Sequence, residues 1–135
     1  MPRTRTGPVA KFLSAEWVAT LSELLRTGGV TTEGGPPLVI QQLIEHPDGV
    51  RSTYRIRVDI DGAEAMGGFS GDATVVYRQS YEVARGIACG ELDAHVEFLM
   101  GRVVVSGDTK ALAGHRATLE RLSSALAAMR ETTDF

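Results

Sequence analysis

Three histidines and one cysteine are the side chains of this 135-residue chain best suited to metal binding or nucleophilic chemistry. His46, His95 and His115 share no ligand spacing, and Cys89 has no second sulfur near it. A zinc site draws its ligands from short, recurring separations, so no metal is expected. Asp59-Ile60-Asp61-Gly62 has the opening of a calcium loop. Such a loop needs a carboxylate at its twelfth position, and counting from Asp59 that position is Ser70. Asp61-Gly62 is better read as a hairpin turn. Gly67, Gly68 and Gly71 make neither G-x-G-x-x-G nor a Gly-Lys-Ser/Thr phosphate loop, so no cofactor is expected. No G-x-S-x-G elbow occurs, and nothing marks a nucleophile with its base. Cys89 precedes Gly90 at a helix end, where a thiolate gains no stabilisation. It reads as a small buried hydrophobe, and the chain as a non-enzyme.

Two polar features call for a choice between readings. Arg51, Arg55 and Arg57 share one face of a strand. That face would suit an anion or a partner; the plainer reading is a solvated outer surface interleaved with Asp59. His115 interrupts a stripe of aliphatic residues. It either lies at the stripe's edge with one nitrogen reaching solvent or a carbonyl, or is a polar group that fixes a ligand's head inside an apolar cavity.

The elements that would position these residues follow from period and punctuation. Ser14 is a good N-cap, flanked by Leu13 and Val18 at staple positions. Leu13, Trp17, Leu21 and Leu24 then recur at helical spacing until Gly28-Gly29. Leu38 to Glu45 reads as a strand with imperfect alternation. Pro47-Asp48-Gly49 is turn chemistry. In 52–60, Tyr54, Ile56, Val58 and Ile60 point one way and Thr53, Arg55, Arg57 and Asp59 the other. A weak strand at 63–69 and another at 73–78 complete an expected antiparallel meander of four strands. Helix signals return after Ser80 and stop at Gly90, and Asp93 caps a short helix ending before Gly101. Val103-Val104-Val105 reads as a strand buried on both faces. The longest helix follows Gly107-Asp108, with Leu112, His115, Leu119, Leu122, Leu126 and Met129 as its stripe. Helices layered on one sheet, an α+β arrangement, would bury every stripe.

Size and charge set the outer limits. At 43% hydrophobic residues the chain can build a core without disulfides or metal. Its length suits one domain, expected at 12–130, with 1–11 as a flexible arm and 131–135 as a tail. A net charge of −3 leaves no basic footprint for nucleic acid. No apolar run approaches the roughly 18 residues of a membrane span, so membrane contact is at most transient. The lone cysteine and the absence of a secretory h-region fit the cytoplasm.

Residues 71–112 resemble the core of the sterol carrier protein-2, or non-specific lipid-transfer, family. Gly71-Asp72-Ala73-Thr74-Val75 is similar to the family's strand before its middle helix. Gly90-Glu91-Leu92-Asp93, then Phe98-Leu99-Met100-Gly101-Arg102-Val103-Val104-Val105-Ser106-Gly107-Asp108, is similar to its signature of a short helix leading into a Gly-started strand. The resemblance implies a five-stranded, mostly antiparallel sheet covered on one face by helices, with an apolar tunnel between the layers. It implies no chemistry. The protein would carry a fatty acyl or sterol-like lipid by removing it from water. The residues expected at the tunnel wall are Ile87, Phe98, Met100, Leu112, Leu119 and Leu122, with His115 as a polar anchor. Met100 stands where many members carry Gln, and His115 where members commonly carry an aliphatic residue. The alternative is an interaction or regulatory module on the same fold, with a second copy or another protein as partner.

Overall fold

The computed structural model describes residues 9–135, so most of the expected arm lies outside the described residues. Its last part does not hang free. Ala10–Lys11 forms a short strand, β1, that is closed by the other end of the chain. Helix α1 follows at Ala15–Thr27, where the Ser14 hydroxyl accepts from the Trp17 amide. Three strands come next: β2 (Leu38–Glu45), β3 (Arg51–Val58) and β4 (Ala63–Gly67). Then come β5 (Val75–Ser80), α2 (Tyr81–Cys89), α3 (Ala94–Leu99) and β6 (Val103–Gly107). Helices α4 (Thr109–Ala113) and α5 (Arg116–Ala128), a 3-10 turn at Met129–Thr132, and β7 (Thr133–Asp134) end the chain. β7 lies parallel to β1, so the ordered structure extends beyond 12–130 at both ends.

The main sheet has five strands in the order β4-β3-β2-β5-β6. Every pairing is antiparallel except β2 with β5. The expected four-strand meander is therefore corrected: only β2, β3 and β4 meander. The chain then crosses the outer face and lays β5 along the far side of β2. That crossing explains the imperfect alternation of β2. Gln41 belongs to the outer face yet is fully buried, because the crossing loop covers it. Its side-chain amide donates to the carbonyls of Tyr54 (3.0 Å) and Gly68 (3.1 Å), and its oxygen accepts from the Ser70 amide (3.1 Å). A buried amide with both ends paired carries no desolvation deficit.

The inner face of the sheet carries the core. Leu38, Ile40 and Ile44 of β2 and Tyr54, Ile56 and Val58 of β3 are buried with Leu21 and Leu25 of α1. Alternation puts Ile60 on this face, but β3 ends at Val58 and Ile60 is 60% exposed in the Asp59–Gly62 turn. Asp59 holds that turn through its carboxylate, which accepts from the Asp61 and Gly62 amides. β6, expected to be buried on both faces, is an edge strand instead, with Val103 buried and Val104 52% exposed.

The expected single long helix after Gly107 is two helices. Gly114 ends α4, and His115 takes a non-helical backbone (φ −122°, ψ 35°) before α5 begins. Gly is the least helix-favouring residue short of Pro, and it sits where the chain turns. The stripe spacing runs unbroken across the joint, so period alone does not reveal it.

Candidate functional site

Between the inner face of the sheet and helices α2 and α5 lies a cavity of about 320 Å³. Its floor is the apolar phase of β2 and β3, with Ile40, Ile44 and Ile56. Its roof is Ile87 and Ala88 of α2 with Leu119, Leu122 and Leu126 of α5. The local sequence explains the roof. Ser80 caps α2 by accepting from the Val83 amide, and Gly90 ends it in the left-handed conformation (φ 88°). At that end the Arg130 guanidinium donates from Nε to the Ala88 carbonyl (2.8 Å). Arg130 thus joins the α2 terminus to the turn that follows α5, and a cation satisfies carbonyls that the helix itself leaves unpaired.

An aromatic cluster closes one end. Trp17 meets Phe12 edge-on at 5.2 Å and Tyr54 at 5.4 Å, and Phe12 lies 5.5 Å from Phe135. The Trp17 indole donates to the Thr133 hydroxyl at 3.0 Å, with both residues buried. The β1–β7 pairing holds Phe12 and Phe135 at this wall.

The polar groups of the cavity are few. Gln42, Tyr54, Tyr77 and Gln79 lie among the sheet residues, and the Gln79 amide donates to the Gln42 side-chain oxygen at 2.9 Å. Burial pushes the hydroxyl pKa values of Tyr54 and Tyr77 up, so both phenols are neutral at physiological pH. The arrangement can hold an apolar molecule and satisfy a small polar group; among the described residues it brings together no nucleophile and base. A wider groove of about 590 Å³ lies between α1 and α5, lined by Leu24, Val30 and Ala125, and it is more open to solvent.

Of the residues expected at the wall, Ile87, Leu119 and Leu122 line the cavity. Leu112 packs half-buried against the core outside it. His115 is half-buried at the α4–α5 joint and does not reach it. Phe98 and Met100 are 47% and 62% exposed on and just after α3. Glu97 is the inward residue of that helix, and its carboxylate accepts from Arg102 at the start of β6. The Arg-bearing strand face is stitched to its neighbours: Arg55 donates to the Gly67 carbonyl and Arg57 to Asp59. His46 stacks on Tyr81 (4.6 Å) and contacts the Ser52 hydroxyl (2.7 Å), far in the sequence from His95 and His115.

Sequence reasoning misses the sheet residues of the cavity, although a signal exists. Leu38, Ile40, Gln42 and Ile44 share one phase of β2, and Val75, Tyr77 and Gln79 one phase of β5. A glutamine in an otherwise apolar phase marks either a paired core amide or a site.

Known structures decide the architecture. A crystal structure of sterol carrier protein 2 superposes with a TM-score of 0.65 at 14% identity, covering 87% of this chain and 98% of that one. The fold is that of sterol carrier protein 2. A conserved hypothetical protein of Thermus thermophilus, described as possibly a sterol carrier protein, has a TM-score of 0.64 at 14% identity over 94% and 95% of the two chains. Palmitated SCP2L2 from Aedes aegypti has a TM-score of 0.50 at 17% identity over 62% and 70%. No family model and no curated protein matches the sequence. Among the described residues no helix is long and apolar enough to cross a membrane.

Proposed function

We propose that this protein is a small, non-catalytic carrier that takes an apolar, lipid-like molecule into the cavity between its sheet and helices. The observation that carries this reading is the apolar cavity itself, roofed by Ile87, Leu119, Leu122 and Leu126 and set against the buried core. Each CH₂ group moved from water into such a space contributes about 0.8 kcal/mol, so an acyl chain binds with few polar contacts. The palmitate of the Aedes aegypti structure is in keeping with this use of the fold. A cytoplasmic setting suits the single free thiol.

Purification without detergent, followed by organic extraction and mass spectrometry, tests the proposal. We expect a co-purifying lipid at substoichiometric to stoichiometric amount. An extract free of lipid, together with no binding of any apolar fluorophore, would count against it.

A second reading, an interaction module, is favoured by one feature. Val96, Phe98, Leu99 and Met100 expose a run of apolar surface on and after α3, next to exposed Val104. Such patches mark contact sites in soluble proteins. A lipid-free cavity combined with a change in oligomeric state on Phe98→Ser would favour that reading over the carrier.

A further inference from the structure

The two edges of the main sheet are built differently. β4 is covered: α1 lies along it, and the Ser22 hydroxyl accepts from the outward amide of Ala65 at 3.1 Å. β6 lies at the other edge and, among the described residues, pairs with β5 alone. The Asp108 amide donates to the Thr74 carbonyl at 2.9 Å, just beyond the last pair of that ladder, Val75 with Gly107. In an antiparallel ladder, residues that bond to one neighbour alternate with residues that face away from it. Val104 and Ser106 therefore turn their N–H and C=O to β5, and Val103, Val105 and Gly107 turn theirs outward. Among the described residues nothing hydrogen-bonds to those outward groups.

An open strand edge is a template for another strand, and proteins guard such edges with charge, proline or a bulge. Val103–Gly107 has no proline and no charged side chain, and its register with β5 runs without a bulge. Val104, Ser106 and Gly107 are exposed. The charges stand at the two ends of the strand instead. Arg102 precedes it, with Nε and Nη2 donating to Glu97, which leaves Nη1 for another acceptor. Asp108 follows it, exposed, and among the described residues its carboxylate has no hydrogen bond or ion pair.

We infer that β6 is the contact by which two copies of this chain pair, edge to edge and antiparallel, about a two-fold axis at Val105. Val105 is the midpoint of the strand. With the axis there, Val105 meets Val105 and Val103 meets Gly107 of the second copy, so every outward N–H and C=O of both strands finds a partner. The same register sets Arg102 of each copy opposite Asp108 of the other. Moving the axis to Ser106 would set Arg102 opposite Lys110, like charge against like. Moving it to Val104 would set Asp108 opposite Met100. Exposed ion pairs add little energy; here they choose the register and favour this chain's own edge over an unrelated strand. No residue of β6 lines the cavity, so the pairing stands or falls independently of the carrier reading.

Sedimentation equilibrium over a range of protein concentrations tests the pairing in wild type and Asp108→Arg. One strand pair makes a small interface, so we expect a weak wild-type dimer with Kd on the order of 10–100 µM. Asp108→Arg sets like charges together at both ends of the paired strands and should raise Kd by about tenfold. Disulfide trapping reads the register. On the two-fold axis at Val105, Val104 lies opposite Ser106 of the second copy as a non-hydrogen-bonded pair, the kind with the closer side chains. In a Cys89→Ala background, Val104→Cys mixed with Ser106→Cys should form a disulfide-linked dimer of one of each on mild oxidation, and either variant alone should form far less. Wild type that stays monomeric up to about 1 mM overturns the inference and leaves the edge to a strand from another protein. A dimer that Asp108→Arg does not weaken, and that does not link positions 104 and 106, forms on another surface and overturns it too.

Discussion

Gly107 shows how much one side chain would cost here. Its φ is 98°, and a Cβ at that position would lie 2.6 Å from the Thr74 carbonyl oxygen. That carbonyl is already engaged by the Asp108 amide at 2.9 Å, so it has nowhere to go. Gly107→Ala should therefore destabilise the protein by about 3 kcal/mol, from left-handed strain plus overpacking, as read by urea unfolding. A loss under about 1 kcal/mol, the low end of those costs, would mean that the strand end can shift. Some residue roles are legible in the sequence: Ser14 caps a helix, helix signals begin after Ser80, Asp61 and Gly62 turn a hairpin, and Gly90 ends a helix. Others are not. The turn-holding carboxylate of Asp59 shows only in the structure. Gln41 and Gln42 are adjacent and identical in type, yet one is a paired amide under a loop and the other lines the cavity. Only the crossing loop distinguishes them, and that is a long-range contact.

Elements are more legible than the joints between them. Helices 15–27 and 81–89 and the strands at 38–45 and 51–58 follow from period, caps and turns. The parallel β2–β5 pairing does not, because local alternation is blind to which strand lies alongside. Helical spacing continues through the Gly114 break, and so it points His115 at a cavity that His115 does not reach. Phe98 and Met100 mislead for a similar reason: a short helix has too few turns to reveal its face, and the charged Glu97 takes the inward place. That inversion makes a prediction. Glu97 is buried against Arg102, whose guanidinium and hydrogen bonds hold the carboxyl below the usual glutamate range. A carboxylate with a lowered folded pKa stabilises the fold fully above its unfolded value, and that contribution is lost as pH falls through the folded value. Thermal melts from neutral to acid pH should show wild type losing stability more steeply than Glu97→Gln, the two curves converging at low pH. Parallel curves would show that the pair does not anchor α3 to β6.

At the scale of the molecule, the chain closes on itself. β1 pairs with β7, and the Trp17–Thr133 hydrogen bond ties that closure to the core. The two ends thereby supply Phe12 and Phe135 to one wall of a cavity whose floor is the sheet and whose roof is α2 and α5. An apolar space left between well-packed layers forfeits dispersion contacts, and a ligand that fills it restores them. The most direct measurement is a fluorescence titration of N-phenylnaphthylamine into wild type and into Ala88→Trp, which would place an indole in the cavity roof. Saturable one-site binding by wild type, lost in a folded Ala88→Trp, is the result the proposed carrier function predicts. Absence of saturable binding to wild type, or equal binding by the filled variant, would contradict it.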